Sequence, residues 1–119
     1  MPTSVDLASR QCVPCGSGVV PLAPSQIAEL LKAVPSWNLT ADGKRIRREW
    51  RVRDFATAID FFQRILPIAE AEDHHPDLHV AGYRNVLVEI WTHAVNGLTE
   101  NDFILAAKLD TLKVELKAG

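Results

Sequence analysis

Two adjacent histidines, His74 and His75, sit in the run EDHHPD, with acids on both sides and Pro76 directly after them. The chain has four histidines, and a third, His93, stands just before the turn signal Asn96-Gly97. Imidazoles have an ordinary pKa of about 6.5, so several brought together supply a base and an acid near neutral pH. Chelation fits the pattern poorly. Neighbouring histidines point about 100° apart on a helix and to opposite faces on a strand, whereas the familiar zinc helix uses i and i+4. No third ligand of clean spacing follows, so no metal is expected. A turn changes the geometry. At a helix exit, with Pro76 holding His75 extended, both rings could enter one cleft. The competing reading is a set of ordinary, satisfied polar side chains.

The elements that must position these rings can be read from periodicity. APSQIAELLKAV gives a helix with Ser25 as its N-cap candidate and Ile27, Leu30, Leu31 and Val34 on one face. Trp37-Asn38-Leu39 and Ile46 to Val52 flank Asp42-Gly43, a hairpin signal. Ile46, Trp50 and Val52 share one face of the second strand, and Arg47, Glu49 and Arg51 the other. A long helix capped by Asp54 carries Phe55, Ala58, Ile59, Phe62, Ile65, Leu66 and Ala69, with Pro67 expected to kink or split it. EDHHPD ends that helix. Two strands follow, Leu78 to Gly82 and Val86 to Thr92. A last helix starts at Thr99 with Asp102 in the N3 position of a capping-box-like pattern, and its apolar side is expected to run through Phe103, Ile104, Ala107, Leu112 and Leu116. The expected fold class is α+β in the order α-β-β-α-β-β-α: a four-stranded antiparallel sheet with three helices packed on one face. Leu87 and Trp91 point to the other face, which suggests a homodimer or homotetramer.

Composition bounds the rest. The chain has 119 residues, 47% apolar and 24% charged, which suits one soluble domain. A net charge of −2, from 13 basic and 15 acidic residues, argues against nucleic-acid binding driven by bulk charge. No apolar run is long enough for a membrane span, and MPTSVDLASRQ does not read as a signal peptide, so a cytoplasmic location is expected. Residues 1–20 read as a flexible leader and 21–119 as a single domain. The leader holds Cys12-Val13-Pro14-Cys15 among glycines and prolines. A mobile segment without chemistry, a shared metal site and a redox pair all remain open for it.

Taken together, Glu70-x-x-x-His74-His75-Pro76, Tyr83, His93 and Asp102 resemble the signature of the pterin-4a-carbinolamine dehydratases, also known as dimerisation cofactors of a homeodomain transcription factor. Six residues separate Pro76 from Tyr83, nine separate Tyr83 from His93, and eight separate His93 from Asp102. THAVNGLTENDF, Trp37-Asn38-Leu39 and DFATAIDFF also resemble the family, over roughly Leu22 to Leu116. Leu78 departs from it, since the animal enzymes tend to carry Trp there, and the C-x-x-C leader resembles that of some bacterial members. The resemblance implies the same α-β-β-α-β-β-α fold. It implies loss of water from a 4a-hydroxytetrahydropterin to give quinonoid dihydropterin, a step that recycles pterin for an aromatic amino acid hydroxylase. The pterin is substrate, and no cofactor is implied. His74 is the expected base, with His75 and His93 as acid or orienting groups. Glu70 is expected to hold a histidine, Asp102 to cap a helix or assist, and Pro76, Thr92, His93 and Ala94 to contact the pterin. Alternatives are a non-catalytic dimerisation or regulatory module, or a pterin-handling role linked to molybdopterin.

Overall fold

The structure, a computed structural model, describes residues 3–13 and 20–118. Among the described residues, four helices, α1 (Ser4–Ser9), α2 (Pro24–Leu31), α3 (Phe55–Glu72) and α4 (Glu100–Asp110), accompany four strands, β1 (Asn38–Leu39), β2 (Ile46–Arg51), β3 (Asp77–Ala81) and β4 (Asn85–Ile90). The sheet is antiparallel in the order β1-β2-β4-β3. This is the expected α+β architecture with one more helix, α1, ahead of it.

The strand faces follow the side-chain alternation. Ile46, Trp50 and Val52 from β2 and its end, with Val86, Val88 and Ile90 from β4, are buried under the helices. Trp50 meets Trp37 and Phe61 edge-on, with ring centroids 5.9 and 5.1 Å apart. Helix α3 buries Ala58, Phe61, Ile65 and Ala69, so its inward stripe is centred one residue away from part of the expected one. Phe55, Ile59 and Leu66, expected inside, are 51%, 36% and 57% exposed and form a second apolar row on the outer side. The helix runs unbroken through Pro67. Helix α4 is buried almost all round, because α1, α2 and α3 flank it and β4 lies beneath.

Caps and turns set the boundaries. Asp54 Oδ1 accepts from the Thr57 backbone N–H at 2.8 Å and from its hydroxyl at 2.6 Å, starting α3. Helix α2 starts two residues earlier than the Ser25 cap would place it: Ala23 is the N-cap and Pro24 occupies the first turn, where a missing N–H costs nothing. Helix α4 stops at Asp110, so neither Leu112 nor Leu116 is on it. Instead the tail turns back, and Leu116 bridges Val52. Arg53 N–H donates to Glu115 O and Lys117 N–H to Arg51 O, which gives partners to backbone groups at the end of β2.

Two further expectations change. The leader was expected to be flexible, yet its residues 3–13 pack on the domain. Thr3 and Asp6 form a reciprocal capping box, and Leu7 is fully buried against the core. Cys15 lies outside the described residues. Trp91 is not left wet by the monomer either. Arg45 lies 4.5 Å over its ring, His93 stacks on it at 4.1 Å, and its Nε1–H donates to Asp77 Oδ2 at 3.1 Å. Among the described residues no helix is long and apolar enough to cross a membrane.

Candidate active site

The end of α3 aims the first histidine. Asp73 closes the helix in the left-handed region (φ 50°), a conformation Asp tolerates better than most residues. The His74 N–H then donates back to Ala69 O at 3.2 Å, which turns its side chain toward the start of α4. There His74 Nε2 meets Asp102 Oδ1 at 2.6 Å, with the ring nearly buried and the carboxylate fully so.

Asp102 does two tasks at once. Its Oδ2 accepts from the Thr99 N–H and the Thr92 hydroxyl, each at 2.8 Å, which makes it the N3 acid of the α4 capping box. Its other oxygen serves His74. An ionised carboxylate only accepts, so a neutral His74 facing it carries its proton on Nε2 and presents a lone pair at Nδ1. The imidazolium formed when Nδ1 takes a proton would face a buried carboxylate, the arrangement that steadies a histidine base.

The other two histidines come from neighbouring turns. His75 is exposed and bonds through Nε2 to Glu70 Oε2 at 2.8 Å, so Glu70 holds His75 and not His74. His93 opens a single 3-10 turn, His93–Val95, ended by Asn96 at φ 47°. Thr92 and Gly97 close that loop by a backbone pair. All three histidines line one cavity of about 530 Å³, with Asp73, Thr92, Ala94 and Trp91. That is within the usual range of about 300–1,000 Å³ for small-molecule sites. Glu70, Pro76 and Asp102 are not part of its lining. His79, on the open face of β3, is exposed and apart from the site.

Sequence reasoning did not place Cys12, Val13, Glu72, Trp91 or Asn101 at this cavity, and all five line it. Burial, reinforced by the Glu72 carboxylate, pushes the Cys12 thiol up to about 12. It therefore stays protonated at neutral pH, unlike the thiolates of metal and redox sites.

The chain matches the family model described as pterin 4 alpha carbinolamine dehydratase over residues 20–112. The chain belongs to this family. It is 51% identical over 113 residues to the mitochondrial pterin-4-alpha-carbinolamine dehydratase 2 of Arabidopsis thaliana, covering 92% of this chain but only 60% of that longer protein. It is 46% identical over 108 residues to a putative pterin-4-alpha-carbinolamine dehydratase of Halorhodospira halophila, covering 91% and 98% of the two chains. The crystal structure of a transcriptional coactivator/pterin dehydratase from Brucella melitensis superposes with a TM-score of 0.71 at 35% identity, over 76% of this chain and 96% of that one.

Proposed function

We propose that this chain is a hydro-lyase that dehydrates a 4a-hydroxytetrahydropterin to quinonoid dihydropterin, with its histidines as general acid and base. Family membership and the relatives' names support the reaction. The observation that carries the site assignment is the 2.6 Å contact between His74 and the buried Asp102, facing a cavity that His75 and His93 also line. His74 Nδ1 removes the proton from N5 of the pterin. The N5–H electron pair becomes the N5=C4a double bond, the C4a–O bond breaks, and the hydroxyl takes a proton and leaves as water. His93 or His75 supplies that proton and is restored from solvent. Such acid/base help is worth about 10²–10⁴ in rate. Thr92, Ala94 and the turn at Pro76 shape the pterin's surroundings in this reading, and the product, once reduced by two electrons in a separate reaction, returns as tetrahydropterin to an aromatic amino acid hydroxylase.

The test is spectroscopic. Purified protein should accelerate the dehydration over buffer equally with and without a chelator. No acceleration, or its loss on chelation, overturns the reading. A homodimer or homotetramer belongs to the same proposal. Its support is the edge of β3, paired on one side only among the described residues, and the outward row of Phe55, Ile59 and Leu66. Light scattering at micromolar concentration should give more than one chain's mass, and a single-chain mass would end this part of the proposal.

A further inference from the structure

The cavity has a wall from outside the region that the family match covers. The match spans residues 20–112, whereas Cys12 and Val13 line the cavity beside the three histidines. Their segment is tied down at both ends of the His74–Asp102 contact. The Cys12 N–H donates to Glu72 Oε1 at 2.7 Å, and Glu72 lies two residues before His74. Val13 exchanges two bonds with the Asn101 side chain: its N–H donates to Oδ1 at 3.0 Å, and its carbonyl accepts from Nδ2 at 2.7 Å. Asn101 is 4% exposed and adjoins Asp102. The Cys12 thiol sits 3.5 Å from the Asn101 carbonyl. Upstream, Leu7 is buried in the core and Lys108 Nζ donates to Ala8 O at 2.8 Å, so α1 anchors the strap.

A paired amide against a backbone segment fixes that segment in position, much as a strand partner would, because both backbone polar groups are satisfied. The buried Asn101 amide has its own reason to stay paired, since an unsatisfied buried donor or acceptor is costly. From these contacts we infer that residues 10–13 form a substrate-holding wall of the pterin site, with Asn101 and Glu72 as the residues that position it. This rests on the pterin reading above and adds to it. The wall contributes a neutral thiol and an aliphatic side chain, so it holds a planar, uncharged heterocycle by shape and contact. Proton transfer stays with the histidines, and the wall therefore acts on binding more than on turnover.

The experiment uses biopterin, an oxidised pterin with no 4a-hydroxyl to lose, whose binding is followed by its fluorescence. Cys12 in the unaltered protein is alkylated with iodoacetamide at mildly alkaline pH, since its thiol is scarcely ionised at neutral pH, and is read separately from Cys15 by fragment-ion mass spectrometry. Saturating biopterin should slow alkylation of Cys12 about fivefold or more, since access limits a thiol in a filled site. In parallel, Cys12→Phe and Asn101→Ala should each weaken biopterin binding about fivefold or more and raise KM accordingly, with kcat within about threefold of the parent. The alkylation arm needs no variant and so stands even if one fails to fold. If the parent chain binds no biopterin, the pterin reading itself is lost. If it binds biopterin yet Cys12 alkylates at an unchanged rate, or folded Cys12→Phe keeps its affinity, the wall is lost and the pterin reading survives.

Discussion

His74 and His75 are neighbours in the chain, and each bonds a carboxylate through Nε2, at 2.6 and 2.8 Å. Their surroundings differ completely. The His74 and Asp102 side chains are 10% and 0% exposed, and those of His75 and Glu70 are 55% and 63%. An exposed pair is screened by water and worth at most about 1 kcal/mol. Breaking a buried pair by removing one partner costs about 3–5 kcal/mol, because the other is left without compensation. One dipeptide thus carries a buried, oriented imidazole and a solvent-exposed one. That difference suits a base whose position matters and a neighbour that exchanges protons with water.

The comparison is most exposed to failure at Asp102. Asp102→Ala takes the acceptor from the Thr99 N–H and from His74 Nε2 and leaves the Thr92 hydroxyl only its bond to Thr99 Oγ1, so denaturant unfolding should show a loss of about 3–5 kcal/mol. Where the variant remains folded, kcat should fall about a hundredfold or more, as expected when a base loses its orienting acid. A variant as stable and active as the parent would mean that the buried pair is ornamental. His93→Ala should come next, with kcat lower by about tenfold and little change in melting, because its ring sits on a surface turn. Glu70→Gln should change kcat by less than about threefold and stability by less than about 1 kcal/mol. If Glu70→Gln matches Asp102→Ala, burial does not separate the two histidines.

The smallest effect extends the comparison to a half-exposed carboxylate at a helix start. The Thr57 hydroxyl, followed by its backbone N–H, holds the Asp54 carboxyl below its ordinary value of 3.8. A depressed folded value means that the stabilisation is complete above the unfolded value and is lost as pH falls through the folded one. Asp54→Ala should therefore melt a little lower than the parent at pH 7. The gap should close progressively below about pH 3.8, on the logic of proton linkage. A gap independent of pH would assign the effect to something other than the ionised cap.

The strands and three of the helices were legible because their periodicities are strong and local. Asp42-Gly43 marked its turn, and Thr99 with Asp102 marked the start of α4. The outward row on α3 was not legible, since Phe55 and Leu66 fit a helical stripe as well as Phe61 does, and only the packing decides which row faces in. The site was legible in its histidines, whose types and spacing point to proton transfer. The task of Asp102 was half legible: a capping acid at N3 is a local signal, but nothing local says that its second oxygen meets a ring 28 residues earlier. The N-terminal wall was missed for another reason. Gly, Pro and Cys drew attention to a mobile leader, while Thr3-x-x-Asp6 just before Leu7 was a helix-start pattern that could have identified α1.

The burial of α4 on nearly every side has a consequence for how this protein wears out. Amides in a helix enclosed by three others exchange with solvent chiefly when the whole domain opens, whereas edge strands and turns open locally and often. Asp102 and Asn101 lie in the first turn of that enclosed helix, so the half of the site that fixes His74 belongs to the most slowly opening part of the molecule. His75 and His93 sit on exposed turns, the kind of segment that opens locally at lower cost. On warming, the exposed acid side should loosen first and reversibly, while the buried base keeps its place until the domain melts. Heat inactivation would then follow global unfolding, with no earlier loss of the catalytic pair.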